Sequence, residues 1–172
     1  MKKITSLIIG LLMTSFAFSQ EKIEKQTTQA EQFSATSGTL IEKQFIDIGK
    51  FKGVTVQVIK FKDLNDETSK SALRFEYEYK SSYSSDTKIA TLDLDEIDGL
   101  IKSINNLKTA VFSSIREVYT EVTFTSRTGF KAGAYYDVDK AKWVTFIKLE
   151  KFDNDSQLFL TTEDFATMLN LV

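Results

Sequence analysis

The chain has 172 residues, of which 27% are charged and 42% are hydrophobic, and its formal net charge is −2 at pH 7. It contains no His, so the sequence excludes an imidazole base, a Ser-His-Asp triad and a His-liganded zinc site. It also contains no Cys and no Pro. Without Cys there are no disulfide bonds, and the hydrophobic core alone must hold the fold.

The first 19 residues have the composition of a cleaved secretory signal peptide. Two lysines form a positive start, residues 4–18 are mostly apolar, and Ala17 and Ser19 put small residues before Gln20. The apolar run is short for a membrane span, and polar sequence follows it. We therefore expect a secreted or periplasmic protein that is cut between Ser19 and Gln20 and has no membrane insertion afterwards. An uncleaved N-terminal anchor is the alternative.

Residues 20–38 are polar, and their only large apolar residues are Ile23 and Phe33. Such a segment buries too little apolar surface to offset the entropy lost on ordering. We expect a flexible leader here, with a short frayed helix as the lesser alternative, and a single α+β domain over residues 39–172.

Four strand-like runs follow the leader, at residues 40–48, 54–61, 72–80 and 87–92. The third is the clearest, because large apolar residues and charged residues alternate strictly along it. Leu73 and Phe75 begin its apolar face, whereas Arg74 and Glu76 begin its charged face. Strict alternation is typical of an antiparallel sheet with one face on a core and the other in water.

A helix over residues 92–107 ends this half of the chain. Its apolar residues recur at the spacing of one helical stripe: Ile97, Leu100, Ile101, Ile104 and Leu107. Asp93 stands three residues before Glu96, which predicts a capping-box start. Residues 108–117 are ambiguous, since they could extend the helix or form a packed connector.

The second half repeats this order of elements. Its strand-like runs are residues 118–126, 130–138, 142–151 and 157–160, and a helix follows from Thr161 or Thr162. Phe165, Met168, Leu169 and Val172 repeat the apolar stripe of the first helix at a constant offset. We predict an α+β fold of two tandem four-strand-plus-helix units, about residues 39–108 and 117–172. Their strands form one extended sheet or two packed antiparallel sheets, and both helices cover one face. Coincidence of ordinary amphipathic patterns is the alternative to internal duplication.

In outline, this tandem plan resembles the saddle of TATA-box-binding proteins and the tandem repeat of β-lactamase inhibitory protein. The resemblance lies in the order of elements, and no functional residue is transferred from it. Signal-peptide cleavage would remove two lysines and no acid, leaving a net charge near −4. This charge argues against nucleic acid as a partner.

Two groups of acidic residues are candidates for chemistry. Glu76 and Glu78 lie on one strand face and could in principle act as an acid/base pair, but the flanking Arg74 and Lys80 favour a solvated charge ladder. Asp93, Asp95 and Asp98 resemble the start of an EF-hand calcium loop. Counted from Asp93, however, the Gly required at position 6 comes one place late, and position 12, where the loop needs Glu, is the core residue Ile104. Helix capping explains them better. We therefore expect no metal site and no cofactor.

Tyr135 is predicted to point away from the core-facing Ala132 and Ala134, and it should be partly exposed beside a Gly. The leading hypothesis is an exported, non-enzymatic binding or interaction protein that uses an exposed sheet face for an unknown protein or glycan. The candidate binding residues are Arg74, Glu76, Glu78, Arg127 and Tyr135. The alternative is a carboxylate-dependent extracytoplasmic glycan hydrolase.

Overall fold

The computed structural model describes residues 26–172. The first sheet contains four antiparallel strands in chain order: β1 (Ile41–Phe51), β2 (Val54–Asp63), β3 (Ser69–Lys80) and β4 (Ser85–Asp93). The second sheet repeats this meander with shorter strands: β5 (Thr120–Thr125), β6 (Lys131–Asp137), β7 (Lys142–Lys148) and β8 (Gln157–Leu160).

Within residues 26–172, three α-helices accompany the sheets: α1 (Gln29–Ser34), α2 (Leu94–Asn106) and α3 (Thr162–Leu171). Helix α2 follows the first sheet directly, and α3 follows the second. The predicted α+β fold with two tandem four-strand-plus-helix units is therefore confirmed, with two separate sheets rather than one extended sheet.

One hydrophobic core is built from both sheets and both of these helices. Leu100 and Ile104 of α2 are fully buried in it, as are Phe165 and Met168 of α3. These residues come from the apolar stripes that the sequence periodicity predicts. The core excludes water from the inner faces of the sheets, and the outer faces remain available for other roles.

Helix α1 lies within residues 20–38, for which the sequence predicts a flexible leader with a short frayed helix as the alternative. Thr28 caps this short helix by accepting a hydrogen bond from the Glu31 amide at 3.0 Å, and Ala30 is buried. A residue more than 60 positions further along the chain, Asp93, stabilises this helix. The carboxylate of Asp93 accepts hydrogen bonds from the amides of Gln29 at 2.7 Å and Ala30 at 3.1 Å. It therefore binds two N–H groups of the first turn that have no acceptor within the helix.

Helix α1 also covers part of the outer face of the first sheet. Ala30 packs in a small second cluster with Ile59, Phe61 and Ala72, and Phe33 adjoins it. Phe33 is one of the two large apolar residues of the predicted leader, where no apolar period is present. The cluster shows that a six-residue helix can be stable when tertiary contacts supply its burial.

The ambiguous connector after α2 continues the helix for one wide turn over Leu107–Val111, and Leu107 is buried. Strand β5 then begins at Thr120, two residues later than predicted, because Thr120 is the first residue that pairs with β6. Strand β7 lies between β6 and β8, which agrees with its apolar residues on both faces.

The predicted signal peptide and its cleavage site lie outside the described residues. Within residues 26–172, none of the helices has both the length and the apolar character needed to cross a bilayer.

Candidate functional site

Tyr135 lies at the centre of a group of aromatic rings on the outer face of the second sheet. Its ring centroid is 5.9 Å from that of Tyr119, 6.4 Å from that of Phe146 and 6.4 Å from that of Phe159. We call these four residues the aromatic face. Strand alternation brings them together, because β6 and β7 present Tyr135 and Phe146 outwards while their neighbours in the chain point into the core.

The aromatic face combines exposed rings with a buried base. Tyr119 is 64% exposed and Phe159 is 54% exposed, whereas Phe146 is only 5% exposed. Phe146 does not belong to the main core. It is buried on the outer side of the sheet, where Tyr135 lies against it. Exposed rings supported by a buried ring form a firm apolar surface.

Polar groups fix the edge of this face. Tyr119 donates a hydrogen bond from its hydroxyl to Glu121 Oε2 at 3.1 Å, and Thr123 donates to Glu121 Oε1 at 2.8 Å. Partial desolvation and the neighbouring Glu121 carboxylate raise the pKa of Tyr119. Its phenol therefore stays protonated near neutral pH and keeps its place as a donor.

Gly133 lets β5 and β6 approach closely beneath the aromatic face. A Cβ atom on this residue would lie 2.3 Å from the backbone oxygen of Val122 and 2.9 Å from Cα of Thr123. Such contacts are far inside van der Waals distance, so any other residue would push the two strands apart. The sequence predicted an exposed tyrosine beside a glycine, and the structure gives the physical reason for that glycine.

Arg74 lies on the other sheet, in the outer face of β3, and its side chain is mostly buried. It donates a hydrogen bond to Gln57 Oε1 at 2.6 Å, forms an ion pair with Glu76, and lies over the ring of Phe45 at 5.6 Å. Gln57 in turn donates to Asp47 at 2.7 Å. These contacts engage Arg74 in a network that joins three strands.

Glu78 is engaged with its neighbours as well. Its carboxylate lies 3.0 Å from Lys80 Nζ and accepts a hydrogen bond from the Ser85 hydroxyl at 2.8 Å. The hydrogen bond from Lys80, followed by that from Ser85, lowers the pKa of Glu78. A general acid working near neutral pH needs the opposite shift.

Arg127 lies in the turn between β5 and β6 and binds the start of α2. Its guanidinium contacts Asp93 and donates to Asp95 at 2.8 Å, and its backbone amide donates to Glu96 Oε1 at 2.6 Å. The hydrogen bond from Arg127 lowers the pKa of Asp95. Since Asp93 also holds the first turn of α1, this ion-pair network ties α1, α2 and the second sheet together.

The same three acids are the group within the described residues that most resembles a metal site. Ligand oxygens of Asp93, Asp95 and Glu96 all lie within 4.8 Å of one another. Arg127 already supplies the positive charge for this cluster, and the helix start accounts for the position of each carboxylate.

A pocket of about 460 Å³ lies at one end of β7. Its walls combine aromatic side chains of Phe112, Tyr136 and Trp143 with the hydroxyls of Ser114 and Thr161. The Trp143 indole donates to the backbone oxygen of Ser114 at 2.8 Å, so the polar end of its ring is already satisfied. No Asp or Glu belongs to the residues that line this pocket.

Comparison of the chain with protein-family models, with curated proteins and with solved structures finds no match in any of the three. Inferences about function therefore depend on the geometry alone.

The five predicted binding residues do not form one site. Arg74, Glu76 and Glu78 follow one strand of the first sheet, Arg127 lies in a turn of the second, and Tyr135 lies in the aromatic face. Sequence reasoning missed the partners of Tyr135. Phe159 had a usable signal, because it stands between Leu158 and Leu160, which are buried, and must therefore point to the other side of β8. Tyr119 lay within the predicted strand-like run of residues 118–126, whereas in the structure it stands just before β5.

Proposed function

We propose that this chain is an exported, non-enzymatic binding protein that recognises another protein through its aromatic face. The observation that carries the proposal is the contact of Tyr135 with three other rings, two of which are more than half exposed. A contiguous exposed aromatic patch on a folded domain is characteristic of an interaction surface.

The composition of this face matches the centre of a protein interface. Tyr and Phe are enriched in such centres because a rigid ring contributes a large contact area and loses few rotamers on binding. The surrounding residues supply a polar rim. Glu121 lies at one side, and Lys131 and Lys148 stand opposite each other on β6 and β7.

A protein partner is favoured over a glycan by the way in which the rings pack. Tyr119 and Tyr135 are stacked at an interplanar angle of 29°, and Phe159 meets Tyr135 edge-on at 76°. The rings thus cover one another and form a continuous apolar surface, which fits the apolar side chains of a protein. A sugar ring needs an open aromatic face on which to stack, with hydrogen-bonding groups around it.

The competing hydrolase hypothesis has less support. Glu76 is paired with Arg74, the pKa of Glu78 is lowered, and the pocket at β7 has no carboxylate in its lining. Hydrolysis of a glycan by two carboxylic acids requires one of them to remain protonated near neutral pH. For Glu78, the hydrogen bonds from Lys80 and Ser85 lower the pKa, which is the opposite of what a general acid needs.

The test uses two substitutions in the aromatic face, Tyr119→Ala and Phe159→Ala, alone and together. The matched controls are Tyr83→Ala and Phe152→Ala, because these two aromatic residues are more exposed than the first pair and lie outside the aromatic face. Each mature variant is immobilised and exposed to the extracytoplasmic proteins of the source cell. The retained partner is then purified, and its dissociation constant is measured by calorimetry.

We expect the double variant to weaken partner binding by about 100-fold, since each truncated anchor costs about 1–2 kcal/mol. The two controls should bind as the unsubstituted protein does, and thermal melts should show that all variants fold. Equal loss in the controls, or unchanged binding in the double variant, would refute the proposal. A glycan array run with the same variants identifies the other outcome, in which binding of a sugar depends on Tyr119 and Phe159.

A further inference from the structure

Strand β1 is the longest free edge in the described part of the chain. It spans eleven residues, Ile41–Phe51, and within residues 26–172 it pairs with β2 alone. Every second residue of such an edge directs its backbone N–H and C=O groups away from the sheet. A long edge strand with these groups free is a template for pairing with another strand.

The other edges are shorter or are covered. On β4, the amide of Ile89 donates to Glu150 Oε1 at 3.1 Å, and Lys88 bridges to Asp153 at 2.5 Å. A segment of the second unit therefore protects that edge. Strand β8 is only four residues long, and β5 has six residues.

The middle of β1 also exposes large apolar side chains on both of its faces. Phe45 is 53% exposed on the outer face, whereas Ile46 and Ile48, which point to the other side, are 51% and 41% exposed. Water-exposed apolar groups on both sides of a free strand are protected from water when the sheet continues beyond that strand.

The charges of β1 indicate which strand would fit beside it. On the outer face the order is Lys43, Phe45, Asp47, with a basic and an acidic residue placed symmetrically about the aromatic ring. When two copies of β1 run antiparallel with Phe45 opposite Phe45, each Lys43 stands opposite the Asp47 of the other copy. Opposite charges directly across a strand pair stabilise it.

Residues 43–47 of β1 pair with β2 in a regular register. The register shift of β1 against β2 lies between Asp47 and Gly49, just beyond the five residues that the two copies would share. Asp47 accepts a hydrogen bond from Gln57 and Lys43 Nζ lies 5.5 Å over the ring of Phe61, so both side chains are held on the outer face.

We propose that the protein forms a two-fold symmetric homodimer in which β1 pairs antiparallel with β1 of a second copy, centred on Phe45. The two four-stranded sheets then join into one continuous eight-stranded sheet. The dimer carries two copies of the aromatic face. A partner that presents two binding sites would be held more tightly by the dimer than by a monomer.

The first experiment measures the dimer dissociation constant of the mature protein by sedimentation equilibrium. Lys43→Asp alone and Asp47→Lys alone each create two like-charge pairs across the dimer axis. Either change should raise the dissociation constant about tenfold. The combined variant Lys43→Asp/Asp47→Lys restores opposite charges and should return to within about threefold of the original value. Lys108→Glu is the control, because this residue is exposed on the turn after α2 and away from β1.

The second experiment tests the register. The chain has no Cys, so Phe45→Cys introduces a single thiol. Residues directly opposite in an antiparallel pair lie about 4.5–5.5 Å apart at Cα, a separation that permits a disulfide bond. Mild oxidation joins the two thiols by loss of two protons and two electrons to the added oxidant, here oxidised glutathione.

We expect Phe45→Cys to give a covalent dimer, while Asp47→Cys and the control Tyr83→Cys form no intermolecular disulfide bond under the same conditions. A mature protein that stays monomeric up to millimolar concentration would overturn the proposal. Failure of the charge swap to restore the dimer, or equal cross-linking of all three thiol variants, would also overturn it. Because β1 and the aromatic face lie on different sheets, these results are independent of the binding tests.

Discussion

The rings of Phe75 and Phe130 are stacked, with their centroids 5.1 Å apart and an interplanar angle of 5°. Phe75 lies in β3 of the first sheet, and Phe130 lies directly before β6 of the second. Both side chains are completely buried. This contact is one of those that join the two tandem units inside one core.

Phe130→Ala should therefore destabilise the whole chain. Removal of a buried phenylalanine costs about 3–5 kcal/mol in the free energy of unfolding. Phe152→Ala is the control, since that ring is exposed and its removal should change stability by less than about 0.5 kcal/mol. Urea unfolding followed by circular dichroism checks both values. Two separate transitions for the original protein would contradict a shared core.

The equivalent positions of the two helices should contribute to stability to a similar extent. Leu100 in α2 and Met168 in α3 are both fully buried in the same core. Leu100→Ala and Met168→Ala should each cost about 2–5 kcal/mol, because each leaves a cavity. The measurement is again urea unfolding. If one change is costly and the other has no effect, the two helices do not play equivalent parts.

The ion pairs of Lys88 with Asp86 and Asp153 should make the free energy of unfolding depend on pH in the acid range. The Lys88 ammonium lies 2.5 Å from carboxylates of both Asp86 and Asp153, and these hydrogen bonds lower the pKa of each carboxyl group. A lowered carboxyl pKa contributes stability that is complete above the ordinary value of about 4 and is lost as the pH falls through the lowered value. The pKa of Lys88 itself is raised by the same partners, so its contribution is lost only at strongly alkaline pH.

Lys88→Met keeps the buried aliphatic stem but removes the charge. We expect a lower melting temperature than that of the original protein at pH 7, and the difference should shrink as the pH falls from about 5 to about 2. Lys80→Met removes an exposed ion pair with Glu78 and should change the melting temperature little at any pH. A difference for Lys88→Met that stays constant with pH would exclude this linkage.

The two glutamates of β3 should not support catalysis. Glu76→Gln and Glu78→Gln are expected to leave the fold intact and to change at most a binding surface. The purified mature protein, screened against glycan, ester and peptide substrates, should show no turnover. Turnover that disappears in either variant would restore the hydrolase hypothesis.

The proposed signal peptide leads to a separate prediction about the N-terminus. Protein recovered from the periplasm or the medium should begin at Gln20, because Ala17 and Ser19 fit the small-residue requirement of signal peptidase. N-terminal sequencing checks this. Ser19→Phe should block the cut and leave a longer product. Recovery of exported protein that retains Met1 would contradict the prediction.

Local patterns in the sequence were sufficient to predict most of the fold. Alternation along β3 and the apolar stripe of α2 depend on residues a few positions apart, so their periods are visible without a structure. The repeated order of elements was visible for the same reason. The cap of α2 was also predictable, and Glu96 does accept a hydrogen bond from the Asp93 amide at 3.0 Å.

Tertiary structure alone decided the features that join distant parts of the chain. Helix α1 is stable because Asp93, more than 60 residues away, binds its first amides, and no local pattern of a polar segment can reveal such a partner. The ion pairs of Arg127 and the contacts of Tyr135 with Tyr119 and Phe159 also join residues that are distant in the sequence, so no local pattern could reveal them. The sequence determined which side of each strand is apolar, because that depends on the two-residue period of a strand. Which side chains meet on the outer faces depends on strand register and on the packing of the two units, and these arise only when the whole chain folds.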